Sequence, residues 1–103
     1  MEVNLNSLNL NNITLIDIRE NYEYKMNHID NAINIPIDIL ELVPEKYLKK
    51  NKKYYLYCDL GVKSRELSLK LNKMGYKIYS IKGGYKEYKN TNWFWVKKNV
   101  YLW

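Results

Sequence analysis

Apolar and polar positions along the chain alternate between two periods, dividing it into successive strands and helices. After a leading segment from Val3 to Leu10, Ile13 to Ile18 is a β-branched apolar run bounded by Asn12 and Arg19, the pattern of a buried strand. Glu20 to Met26 follows as a short helix. Ala32 to Ile35 is a second brief strand, ended by Pro36 because a residue without an N–H cannot extend a ladder. Asp38 stands where it would cap a helix carrying Leu40, Leu42 and Leu48, and Pro44 should break or kink that helix. Lys53 to Cys58 is a third strand. Ser64 to Lys73 is a helix whose apolar positions are Leu67, Leu71 and, at its end, Met74, and Gly75 suits the left-handed residue that closes it. Tyr76 to Ile81 is the next strand, Gly83-Gly84 a turn, and Tyr85 to Lys89 a short last helix. Strands alternating with helices at this spacing predict an α/β fold, a three-layer sandwich whose mainly parallel central sheet is flanked by helices.

Composition narrows this picture. At 103 residues the chain has the size of one domain, and 47% hydrophobic with 27% charged residues is an ordinary globular balance. Residues 1–90 are read as that domain. Residues 91–103 differ: Trp93, Phe94, Trp95, Val96, Tyr101 and Trp103 crowd around Lys97 and Lys98. This aromatic extension is too short to span a membrane and is expected to pack on the domain or at an oligomer interface, giving a homodimer through the tail. The net charge of +6 would draw small anions. Its lysines are spread along the chain, which argues against a nucleic-acid surface. One cysteine allows no internal disulfide, and no Cys/His cluster has the spacing of a metal site, so neither metal nor cofactor is expected. Without a basic leader or a long apolar run, the expected compartment is the cytoplasm.

That single cysteine carries the chemistry. Free cysteine commonly packs as a small apolar side chain. Cys58, however, ends a strand and opens the loop Asp59-Leu60-Gly61-Val62-Lys63-Ser64, which turns through a glycine into a helix. A strand, a short loop and a helix N-terminus aim backbone N–H groups at one point, where a thiolate or persulfide is stabilised. In open parallel sheets, ligands bind at this carboxyl end of the strands.

The residues resemble a single-domain rhodanese, the sulfurtransferase family. The match runs through Leu15-Ile16-Asp17-Ile18-Arg19-Glu20, Glu23-Tyr24, His28-Ile29 and Ala32-Ile33-Asn34-Ile35-Pro36. It continues through the Cys58 loop with Gly61 and Ser64, Gly75-Tyr76 and Gly83-Gly84, leaving only the tail outside. The resemblance implies that Cys58 takes sulfur from a small anionic donor such as thiosulfate, or from a protein persulfide. Cys58 would hold it as a persulfide and pass it to cyanide or a thiol acceptor. Backbone N–H groups from Asp59 to Ser64 would surround the sulfur, and Lys63 would supply formal charge. Asp17 and Arg19 would support the loop as a buried ion network with Glu23, and His28 would satisfy backbone groups in a turn.

Three departures from the family pattern bear on activity. Lys63 stands where the family usually has an arginine and lacks the planar fork that grips an oxyanion, which predicts weak thiosulfate binding. Asp59 adds an acid beside the thiol, opposing both thiolate and anionic donor. Asn27 and Asn31 replace common glycines, expected to be tolerated because Asn accepts left-handed backbone. A cysteine phosphatase would need an arginine where this chain has Ser64, with Arg65 falling one residue late. The remaining alternative is a non-catalytic interaction module using the aromatic tail, favoured by Asp59 and disfavoured by the intact Cys, Gly and Ser of the loop.

Overall fold

A computed structural model describes residues 1–90; the aromatic extension at 91–103, with the packing and dimer contact expected of it, lies outside the described residues. Five strands run in the order β1 (Glu2–Val3), β2 (Leu15–Asp17), β3 (Ile33–Asn34), β4 (Lys53–Tyr57) and β5 (Lys77–Ile81). They pair as one sheet in the order β1-β5-β4-β2-β3, and every pairing is parallel. Between them lie helices α1 (Asn21–Met26), α2 (Ile37–Leu42) and α3 (Val62–Lys73), and residues 84–90 form a further helix, α4.

Alternation along the strands sorts their side chains onto two helical layers. Ile16, Ile18, Tyr54, Leu56, Cys58 and Ile78 pack with Leu40 of α2 and with Leu67 and Leu71 of α3. Leu15, Tyr57 and Ile81 point the other way, against Tyr24 of α1, Tyr85 and Tyr88 of α4, and the leading segment through Leu5 and Leu8. The result is the expected three-layer sandwich. Cys58 thereby faces α3, whereas Asp17 and Tyr57, one step out of phase with it, face α1 and α4. Leu56, Leu67, Leu71 and Ile78 are at most 2% exposed, and each such side chain contributes about 1.5–3 kcal/mol of burial.

Several elements differ from their expected limits for identifiable reasons. The leading segment contains a two-residue strand, β1, whose Val3 pairs with Ile81; so short an edge strand exists only through its partner. Helix α2 starts at Ile37 with Pro36 as its cap, and Asp38 sits inside the first turn, where its charge favours the helix dipole but its side chain caps nothing. Pro44 ends that helix as expected and opens a 3₁₀ turn, Pro44–Lys46. Helix α3 begins at Val62, two residues before Ser64, so its first turn takes in part of the expected loop. Asn31 adopts the left-handed conformation (φ 69°), but Asn27 does not: it is extended (φ −167°) and ends α1.

Leu71 joins α3 to the sheet at 1% exposure. Leu71→Ala should destabilise the protein by about 2–5 kcal/mol. Urea unfolding should show a lower midpoint at unchanged slope, because the surface exposed on unfolding is nearly the same.

Candidate active site

Strand β4 ends at Tyr57, and Cys58 follows at the carboxyl edge of the sheet, 7% exposed. Its Sγ accepts hydrogen bonds from the N–H of Gly61 (3.2 Å) and of Ser64 (3.4 Å), and Ser64 Oγ lies 3.5 Å away. Gly61 is the N-cap of α3 and has no side chain to satisfy the helix's first N–H groups. Cys58 Sγ takes that place, so the sulfur lies at the positive end of a 12-residue helix. Of the six loop residues expected to surround the sulfur, Gly61 and Ser64 are the ones whose N–H groups reach it. The helix starts early, and Asp59, Leu60, Val62 and Lys63 shape the surroundings instead.

The loop hangs from the start of α4. The N–H of Tyr85 donates to the Cys58 carbonyl (2.8 Å) and that of Lys86 to the Asp59 carbonyl (3.0 Å). This approach requires Gly84, in left-handed conformation (φ 59°): a Cβ there would collide with the Cys58 carbonyl oxygen and come within 2.7 Å of that of Asp59. Gly61, at φ 93°, likewise packs against the backbone of Gly83 and Ile81.

The Asp17 carboxylate, fully buried, accepts from the N–H, Nε and Nη2 of Arg19 and from the Tyr57 hydroxyl (2.7 Å). Arg19 also donates to the Asn27 carbonyl (2.6 Å), lies 4.1 Å over the Tyr85 ring, and places Nη1 3.7 Å from Asp59 Oδ1. Burial works against the Arg19 charge, but the hydrogen bonds and charge of Asp17 outweigh it and hold the guanidinium well above its ordinary pKa. Burial first, and the hydrogen bond to Asp17 second, likewise push Tyr57 well above the ordinary tyrosine value. Asp59, expected to oppose a thiolate, therefore has its charge partly countered by Arg19.

A cleft of about 300 Å³ opens over the sulfur. Ile18, Ile37, Leu60 and Val62 give it apolar walls, with Leu60 and Val62 more than half exposed at the rim. Its charged groups are Arg19 and Lys63 against Glu20, Glu23 and Asp59. The mouth is thus net acidic on a chain of net charge +6. Among the described residues no group of His, Cys, Asp and Glu could hold a metal ion, and no helix is long and apolar enough to cross a membrane.

This arrangement is shared with known proteins. The sequence profile of the Rhodanese-like domain matches residues 2–91. The chain belongs to the rhodanese-like family. A rhodanese-related protein of Thermoplasma volcanium superposes with a TM-score of 0.71 at 32% identity, covering 80% of this chain and 81% of that one. The reduced Bacillus anthracis CoADR-RHD structure gives 0.66 at 37% identity, over 74% of this chain and 14% of that one. Among curated proteins, a tRNA uridine(34) hydroxylase of Buchnera aphidicola is 34% identical over 81% of this chain and 28% of its own length. The chain spans about a quarter of the length of the curated relatives it matches.

Within this rhodanese-like site, Cys58, Gly61, Ser64, Asp59, Leu60, Val62, Lys63 and Arg19 converge, with Asp17 one bond behind. Glu23 departs from the expected ion network: it lines the cleft and accepts from the Glu20 N–H (3.3 Å), closing the first turn of α1. His28 Nδ1 meets the Tyr24 carbonyl (2.8 Å) while its ring stacks on Tyr24. Two participants were not singled out from the sequence. Tyr57 falls within the strand Lys53 to Cys58, and nothing local in the sequence marks its hydroxyl as a partner of Asp17. Ser80, on β5, hydrogen-bonds Ser64 (2.7 Å), and its one signal is a hydroxyl at an alternation position that faces the core.

The Tyr57 pKa sets an alkaline stability limit. An unfolded tyrosine releases its proton near pH 10, whereas folded Tyr57 holds it, so stability falls as pH rises past that value. Tyr57→Phe should cost about 1.5–3 kcal/mol at neutral pH, the worth of a hydrogen bond to a charged group. Urea unfolding at pH 8 and at about pH 11 should show variant and wild type converging; parallel losses would contradict the assignment.

Proposed function

We propose that this rhodanese-like protein is a sulfurtransferase that carries sulfur on Cys58. The observation that supports it best is the sulfur itself, buried at the foot of a cleft and accepting N–H groups from Gly61 and Ser64 at a helix N-terminus. The donor is thiosulfate or a persulfide and the acceptor is cyanide or a thiol, with no resident metal or cofactor in the scheme.

In the first half-reaction the Cys58 thiolate attacks the outer sulfur of the donor. A bond forms from Sγ to that sulfur, the donor's S–S bond breaks, and the leaving group, sulfite for thiosulfate, departs with the electron pair. In the second, the acceptor attacks the outer sulfur of the persulfide and the Cys58 thiolate leaves. The sulfur anion is thus nucleophile in one step and leaving group in the next, and the same two N–H groups stabilise it in both. Lys63 offers a cation to an anionic donor, while Glu20, Glu23 and Asp59 repel it. The name of the curated relatives describes hydroxylation of tRNA by chains of which this one spans about a quarter; what is carried over from them is the family alone.

Incubation with thiosulfate, or with a persulfide donor, should add the mass of one sulfur atom to the wild-type protein and none to Cys58→Ser. Absence of gain with both donors would instead support a non-catalytic interaction module. Asp59→Asn frees Arg19 of one countercharge and removes an acid from the mouth. It should raise kcat/KM for thiosulfate about fivefold, the scale of a partly exposed ion pair, and the gain should shrink as salt is added.

A further inference from the structure

Ser80 is a polar residue in a place built for an apolar one. It lies on β5 between Tyr79 and Ile81, is 0% exposed, and shares the strand face of Ile78, turned toward α3. A buried hydroxyl is retained at a cost unless it is hydrogen-bonded. Its one side-chain partner among the described residues is Ser64 Oγ, at 2.7 Å. Ser64, also 0% exposed, has two further neighbours: the Gly61 carbonyl at 3.3 Å and Cys58 Sγ at 3.5 Å.

The directions of these bonds follow from counting protons. Each serine hydroxyl has one proton to give, and the Gly61 carbonyl only accepts. If Ser64 donated to Ser80, the Ser80 proton would have no acceptor among its side-chain contacts. The arrangement that uses every proton has Ser80 donating to Ser64 Oγ, leaving the Ser64 proton free to choose between the Gly61 carbonyl and the sulfur. When Cys58 is a thiol, its S–H donates to Ser64 and the Ser64 proton goes to Gly61. When Cys58 is an anion, rotation of one hydroxyl turns that proton onto Sγ, adding a third donor to the N–H groups of Gly61 and Ser64.

We propose that Ser80 is a positioning residue for Cys58: it fixes the direction of a buried hydroxyl chain, Ser80 to Ser64 to Cys58, that delivers a hydrogen bond to the sulfur anion. Ser80 touches neither donor nor acceptor and acts through Ser64. The chain strengthens both the attacking thiolate and the thiolate that leaves the persulfide. The proposal rests on the sulfur-transfer reading only in that Cys58 works as an anion.

The charged groups facing Cys58 are Arg19 and Glu20 after β2, Glu23 of α1, Asp59 beside it and Lys63 of α3. Among the described residues none is hydrogen-bonded to Ser64 or Ser80, so they give the same electrostatic background in every variant. The test is the pH profile of Cys58 alkylation by iodoacetamide in the full chain, with urea midpoints measured alongside. Ser80→Ala should slow alkylation at neutral pH about three- to tenfold, the effect of one lost hydrogen bond to an anion. The plateau rate at high pH should be unchanged. Ser80→Thr, which keeps the hydroxyl, should restore the wild-type profile. Ser64→Ala should shift the profile at least as far, and adding Ser80→Ala to it should shift it no further.

An unmoved profile in Ser80→Ala, or an equal shift by Ser80→Ala in the presence and absence of the Ser64 hydroxyl, would overturn the proposal. A change in the urea midpoint with an unmoved pH profile would assign Ser80 to packing alone and overturn it as well. No sulfur donor enters the measurement. Failure of the protein to take up sulfur from a donor is therefore a separate result from failure of the hydroxyl chain.

Discussion

The structure depends most heavily on one buried charge, the Asp17 carboxylate, and on the arginine two residues later that neutralises it. A carboxylate removed from water is costly, and it is retained here because four donors meet it: three from Arg19 and one from Tyr57. Meeting that demand pins Arg19 in one orientation. The rest of its guanidinium is then committed to the end of α1 through the Asn27 carbonyl, to the first turn of α4 through Tyr85, and to the Cys58 loop through Asp59. Strand, two helices and loop are registered to one another by a single side chain. Lysine, with a point charge on a flexible stem, could not make the same set of contacts.

Global and local charge point in opposite directions in this molecule. The chain as a whole is basic, and at low ionic strength, where screening is weak, its net charge of +6 attracts anions from a distance. At contact range an anion entering the cleft meets Glu20, Glu23 and Asp59 with only Lys63 unpaired among the described cations of the cleft. In the proposed reaction the stabilisation of negative sulfur is therefore left to fixed dipoles, the two N–H groups and the end of α3, rather than to side-chain charge. Dipoles act at short range on the atom they point at. They favour a sulfur anion in place without equally favouring a free dianion in solution.

Much of this was legible in the sequence because it is local. The apolar run ending at Cys58, the glycine three residues on and the 3.6-residue spacing of Leu67 and Leu71 are enough to imply a strand, a tight turn and a helix with a thiol between them. The parts that were not legible are set by contacts distant along the chain. β1 is two residues whose pairing with β5 lies nearly eighty positions away. α3 starts ahead of its expected Ser64 because Cys58 Sγ, rather than a side chain at Gly61, satisfies its first turn. Asn27, one of two look-alike asparagines, is extended because its carbonyl is engaged by Arg19. Ser80 looks like a lapse in an apolar strand until the strand is laid beside α3. Glu23 is close to Asp17 and Arg19 in sequence, yet a carboxylate three residues into a helix is drawn to the N–H at the start of its own first turn.

The suspension of the Cys58 loop from the first turn of α4 has a consequence for the energy scale on which the site operates. Two peptide carbonyls of the loop, those of Cys58 and Asp59, are held by N–H groups of Tyr85 and Lys86, on the layer opposite α3. Any sub-global opening that frays the start of α4 releases the backbone of Cys58 in the same event. The loop and the helix are thereby coupled, and the rigidity of the backbone at Cys58 is bounded by the local unfolding free energy of an element on the far side of the sheet.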